Sequence, residues 1–333
     1  MKTFIALSVI AATAAIALPA GAQHNFALVP KNMNNPFFDQ ARDGCMKAEA
    51  ESGGAFTCEY IGPGEHGGGD EQMQIVMDLV ARGNLDGIAV SPSNAAAMAV
   101  ALEAAKEAGI PVLTWDSDLL PENQDLRVAY IGTHNYEIGV NLAKLAMKIK
   151  PEGGSVCIQS GGAAAANHNE RMQGIRDTLA GVSGTESPGV RLDGQNGWTE
   201  LAGCPLYTDD DFPRSVQQFE DIMAANPELD AFLPTGGFPQ FLPNANRAAV
   251  EPYLDKIADG SLALVVADTL PVQIDQMKEG FSAGQVGQRP FEMGYQTMVA
   301  LQQLVDGGAA PADPTYTGLD VCTPETADTC IAQ

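Results

Sequence analysis

Short apolar runs recur along this chain, each followed by a turn and then by a stretch with helical spacing. That alternation restricts the fold more than any other feature. A run of four to six consecutive apolar residues leaves no face for water, so it reads as a strand of a parallel sheet covered on both sides by helices. Stretches at 26–29, 56–61, 86–90, 110–115 and 128–132, each made mostly of apolar residues, read as such strands. Between them, Pro36 opens a helix with Phe37, Ala41, Cys45 and Ala48 on one face, Asp70 is placed to cap a helix reaching Arg82, and 95–108 reads as a third helix. The rhythm then restarts, with helices expected at 137–150, 170–180 and 212–225 and strands at 155–159, 231–234 and 262–266. Two α/β units of similar size follow one another, each a doubly wound parallel sheet.

Charge and composition exclude several classes of function. Lys and Arg number 18 against 42 Asp and Glu, a formal net charge of −24, which repels phosphate backbones and makes nucleic acid an improbable partner. The N-terminus carries Lys2, an apolar run from Phe4 to Leu18, and the small-residue site Ala20-Gly21-Ala22, so 1–22 reads as a secretory signal peptide and the product as exported. The six cysteines agree with an oxidising compartment. They fall in near-neighbour pairs, and disulfides are expected for Cys45 with Cys58, Cys157 with Cys204 and Cys322 with Cys330. A zinc site is disfavoured because no CxxC occurs and the four histidines are scattered.

In an open parallel sheet, ligands bind beyond the carboxyl ends of the strands, so the residues just after each strand are the ones to read. After the first strand comes Lys31-Asn32-Met33-Asn34-Asn35-Pro36-Phe37-Phe38, with no GxGxxG to bring backbone amides against a pyrophosphate. The glycine-rich stretch 62–69 lacks a P-loop lysine and reads as a surface loop. Ser91, Asp116 and Asp268 stand at further strand ends. Paired carboxylates could perform acid/base chemistry on a glycosidic bond, and either could instead cap a helix or a turn. Their position at equivalent strand ends of two separate units favours clamping a ligand from both sides.

Asn34-Asn35-Pro36-Phe37-Phe38 after the first strand, Asn169-Glu170-Arg171-Met172-Gln173-Gly174, Asp268 after a Val-Val strand and Gly287-Gln288-Arg289-Pro290 occur in an order and spacing that resembles the type I periplasmic sugar-binding proteins, the ribose-binding group in particular. The resemblance spans roughly 25–317. It implies two Rossmann-like lobes with parallel sheets joined by a three-stranded hinge, with crossings near Thr133, near Gln288 and around Tyr316. The implied division is an N-terminal lobe of 23–132 plus 289–315, a C-terminal lobe of 133–288, and a last crossing and tail over 316–333. It further implies a monomer without cofactor or metal that captures a sugar or polyol in the periplasm and delivers it to the permease of an ABC importer. A sensory protein presenting a sugar-like signal to a receptor would have the same lobes, and a secreted hydrolase using Asp116 and Asp268 is the enzymatic alternative.

Transferred position by position, the resemblance makes Asn35 a donor to a sugar hydroxyl and sets Phe37 and Phe38 against the ring. It makes Asp116 and Asp268 the two carboxylates, Arg171 the guanidinium and Gln288 the hinge amide. A carboxylate accepts from two vicinal hydroxyls and Arg donates in a planar fork, while aromatic faces cover the C–H patches of a sugar. The sequence departs from the ribose-binding pattern at Lys31, Ser91, Ser117, Asp210 and Gly236-Gly237. Lys31 is expected to supply the donor missing at Ser117, and Phe238 the stacking surface missing near Asp210. Asn169, beside Arg171, completes the expected ligand set.

Overall fold

A computed structural model describes residues 23–65 and 67–331; the expected signal peptide lies outside the described residues. The chain begins with β1 (His24–Val29), α1 (Pro36–Glu51), β2 (Phe56–Tyr60), α2 (Asp70–Arg82), β3 (Gly87–Val90), α3 (Ala95–Glu107), β4 (Val112–Trp115) and β5 (Ala129–Gly132). It continues with α4 (Asn135–Ile149), β6 (Gly154–Ser160), α5 (Ala166–Ala180), β7 (Trp198–Glu200), β8 (Leu206–Tyr207), α6 (Phe212–Ala225) and β9 (Ala231–Pro234). Then come α7 (Pro243–Val250), α8 (Leu254–Ala258), β10 (Ala263–Ala267), α9 (Pro271–Lys278), β11 (Gly284–Gly287), α10 (Pro290–Val305), β12 (Thr315–Tyr316) and β13 (Asp320–Cys322).

The strands form two sheets. One has the order β12-β5-β4-β3-β1-β2 and is parallel throughout. The other runs β13-β11-β10-β9-β6-β7, with β8 added to β6, and is parallel except where β13 meets β11. The chain passes between them three times: after β5, between β11 and α10, and between β12 and β13. All residues of β3, β4, β9 and β10 are buried, in keeping with their largely apolar sequences. Each sheet has an apolar core on either face, Phe26, Leu113 and Leu301 opposite Val76, Ile88 and Leu102 in the first, and Ile138, Ile158 and Val265 opposite Phe219, Phe232 and Val266 in the second.

Each lobe also contains one helix pair in backbone contact. A Cβ at Gly44 of α1 would collide with the Phe291 carbonyl of α10, and one at Gly294 with the Ala41 carbonyl. In the second lobe, Gly139 of α4 faces the Arg171 carbonyl of α5, and Gly174 of α5 faces the Tyr136 carbonyl. Only glycine permits such approaches. The second crossing sets the position of Arg171.

The disulfides Cys45–Cys58, Cys157–Cys204 and Cys322–Cys330 form as expected, with Cα separations of 6.2, 5.5 and 5.2 Å. Three helix starts differ from expectation, α4 by beginning at Asn135 rather than 137. α2 is capped by the backbone of Gly69, at φ 97°, and Asp70 is its first residue. α5 begins at Ala166, a turn before 170, and its N-cap Ala165 offers no side chain to mark the start.

Candidate ligand cleft

The carboxyl ends of the two sheets face each other across a narrow void. From the first sheet's side it is lined by Lys31, Asn35, Phe37, Phe38 and Asp116, and from the second's by Asn167, His168, Arg171, Asp210, Gly236, Phe238, Phe241 and Asp268, with Gln288 at a crossing between them.

Local sequence explains how these side chains are held. Asn35 caps α1 by accepting from the Phe37 amide (2.9 Å), Pro36 starts the helix, and the first turn thereby carries Phe37 and Phe38 to the cleft wall. The two rings meet edge to face, and Phe38 meets Trp115 of β4 in the same way at 5.7 Å. Both phenylalanines belong at once to the core and to the cleft.

Asp116 and Asp268 follow β4 and β10 and adopt left-handed backbone conformations, with φ of 57° and 72°; Asp210 does the same at 56°. Asp tolerates this region better than most residues, and such conformations concentrate where a binding site over-determines the backbone. Asp116 accepts from the Ser91 hydroxyl (2.8 Å) and from Asn167 Nδ2 (3.3 and 3.4 Å), with Lys31 Nζ at 3.8 Å and Arg171 Nη2 at 3.5 Å. Asp268 accepts from the Gly237 amide (2.9 Å) and from Gln288 Nε2 (2.7 Å). Burial holds its pKa above the usual carboxylate value, against the opposing pull of Arg171. Lys31 is fully buried, and that burial lowers its pKa against the attraction of Asp116 and Asp210.

Arg171 donates from Nε to Asn135 (2.9 Å) and from Nη1 to the Thr235 carbonyl (2.8 Å), while its buried Nη2 has no hydrogen-bond acceptor in the protein. Gln288 Oε1 is likewise buried without a donor. A donor and an acceptor are thus left over on the cleft wall. His168 meets Thr235 through Nδ1 (2.9 Å) and approaches Asp210 through Nε2 (3.6 Å), with its ring tilted against Phe238.

Ser91, Ser117 and Asn169, expected at the ligand, do not line this void. Ser91 donates to Asp116, Ser117 is buried but does not line the void, and Asn169 donates to the Ala163 carbonyl. Asn169 and Arg171 stand two residues apart on α5, which turns them to opposite faces, whereas Asn167 and Arg171 share a face at i, i+4. That spacing could have identified Asn167 had the helix been started a turn earlier. Phe241 lines the void as well, carried there by the short 3₁₀ turn Phe238–Phe241 that sequence patterning did not disclose. Among the described residues no three His, Cys, Asp or Glu side chains come together as a metal-binding group.

Residues 26–309 match the family described as periplasmic binding protein domain. The ribose import binding protein of Salmonella typhimurium is 23% identical over 301 residues, covering 90% of this chain and 91% of that one. An ABC transporter solute-binding protein of Burkholderia graminis, solved with D-arabinose, is 28% identical with a TM-score of 0.74, over 92% of this chain and 97% of that one. A solute-binding protein of Agrobacterium vitis, solved with D-fucose, has a TM-score of 0.78 at 22% identity, with coverage of 92% and 97%.

Proposed function

This chain belongs to the periplasmic binding protein domain family, a family of binding proteins rather than enzymes, and we propose that it captures a monosaccharide or related polyol between its lobes and delivers it to the permease of an ABC importer. The observation that carries this reading is the wall of the cleft: three carboxylates, an arginine, a buried lysine and a glutamine converge from both lobes on one small void bounded by phenylalanine rings. Charge-assisted bonds to hydroxyls are roughly twice as strong as neutral ones, and the rings suit the apolar C–H patches of a sugar while keeping water away. The names of similar proteins, which bind ribose, arabinose or fucose, point to the same ligand class.

In this reading Asp268, Arg171 and Gln288 hold hydroxyls from the second lobe and the hinge, Asn35 does so from the first, and Phe37, Phe38 and Phe238 flank the ring. Asp116, held by Ser91, orients the charged side chains around the guest. The lobes are 23–132 with 289–315, and 133–288, turning about the three crossings. A ligand that touches both lobes only when they are shut shifts an open/closed equilibrium toward the closed form, and that form is what a permease would engage. The location follows as the periplasm.

A thermal-shift screen against pentoses, hexoses and polyols tests the proposal. At least one compound should raise the melting temperature in proportion to the logarithm of its concentration above Kd. A flat response to the whole panel would overturn it.

A further inference from the structure

The polar atoms of the cleft divide into two sets. Arg171 Nη2 and Gln288 Oε1 are buried with no hydrogen-bond partner in the protein, and they suit a ligand. Asn167 is different. Its Oδ1 accepts from Lys31 Nζ at 2.8 Å and from the His168 amide at 2.9 Å, and its Nδ2 donates to the Asp116 carboxylate at 3.3 and 3.4 Å. Both lone pairs of the amide oxygen are therefore occupied. Lys31 follows β1 and Asp116 follows β4, both of the first sheet, whereas Asn167 lies in the first turn of α5, which packs on the second.

We infer that Asn167 is an interlobe clasp: it bonds the second lobe directly to Lys31 and Asp116 of the first and so supplies a part of the closing free energy that is the same for every ligand. This rests on the reading of the cleft as a closing ligand site. Lys31 and Asp116 face Asn167 as a buried cation and anion 3.8 Å apart, so the amide that takes a hydrogen bond from one and gives a hydrogen bond to the other is matched in polarity at both ends. Opening the lobes would break both bonds together and return the lysine and the carboxylate to water. Asn167 is accordingly a positioning residue for the closed state, and the ligand is held by its neighbours.

The test compares wild type with Asn167→Ala by two readouts. First, Kd is measured by calorimetry for several sugars that differ in single hydroxyls. Removing two net hydrogen bonds should weaken all of them by a common factor of about tenfold. A loss confined to sugars bearing one particular hydroxyl would make Asn167 a ligand contact and overturn the inference, as would unchanged affinity. Second, single-molecule FRET between dyes on the two lobes, in protein without sugar, should show closed dwells shortened by a similar factor in the variant. Equal dwells would overturn the inference whether or not any sugar binds, which separates its failure from failure of the ligand proposal. Lys31→Met combined with Asn167→Ala should weaken binding by less than the product of the single effects, because both variants break the same bond.

Discussion

Glu170 is expected to make ligand binding dependent on pH. It sits on α5 beside Arg171, on the wall of a second cavity near the crossings, where Asp118 of the first lobe faces it. Its pKa is pushed from an ordinary 4.5 up to about 7, first by burial and then by the charge of Asp118, with Arg171 opposing. Arg127 holds Asp118 (2.7 and 2.6 Å) and Asp313 (2.6 Å), and Glu122 and Glu186 line the same cavity. Tyr130, Tyr136 and the stacked pair His134 and Tyr316 complete the surroundings. Because Asp118 and Glu170 belong to different lobes, opening separates them and returns water to the carboxyl. A carboxyl whose pKa is raised in the closed form binds a proton as the lobes shut. Affinity should therefore rise as pH falls from about 7 toward 4.5, by at most about tenfold per pH unit, since one pKa unit corresponds to ~1.4 kcal/mol. The same sign applies to folding: stability is fullest below 4.5 and is lost as pH rises through about 7. Calorimetric titrations at several pH values in wild type and Glu170→Gln isolate the effect, because Lys31 and Asp268 titrate alike in both. The variant should bind at neutral pH at least as tightly as wild type and show a flatter pH profile. Identical slopes in the two proteins would refute the reasoning.

Further predictions follow from the cleft and the helix crossings. Asp268→Ala should lose more than ~2 kcal/mol of binding free energy without unfolding, because Gln288 Nε2 and the Gly237 amide are left buried without an acceptor; wild-type affinity by calorimetry would remove Asp268 from the site. Ligand binding should alter tryptophan emission through Trp115, which touches Phe38 at the cleft wall, and the change should vanish in Trp115→Phe, since Trp198 is packed in the core of the second lobe. A change that survives that substitution would contradict the placement. Gly139→Ala should cost roughly 1–3 kcal/mol of stability and also weaken sugar binding, because the added methyl drives into the Arg171 carbonyl; chemical denaturation and titration of the same variant would show a neutral effect if the crossing were loose.

The parts of the fold that were legible in the sequence are those where burial is apolar on both faces. β3, β4 and β10 read directly from their short, largely hydrophobic runs, and the cysteine spacing matched the disulfides. The stretch after β10 was harder to read because its buried face is polar: Gln273, Gln276 and Gln285 all converge on Gln240, so α9 and β11 bury amides where a pattern search expects aliphatic residues. The short strands β7, β8 and β12, of two or three residues, are set by pairing with a neighbour and carry no periodicity of their own. Within the cleft, strand-end positions identified Lys31 and both carboxylates, but the same logic over-selected Ser91, a strand-end residue whose hydroxyl serves Asp116. Asn167 was missed because an uncapped alanine start hid the first turn of α5.

In the proposed function two lobes shut on a small polyhydroxylated guest. Small-angle X-ray scattering on one sample, before and after saturation with the tightest sugar or polyol found by calorimetry, tests it most directly. The radius of gyration should be smaller with ligand than without, and the scattering curve with ligand should match this structure. Saturable binding that leaves the curve unchanged from one that already differs from this structure would contradict it.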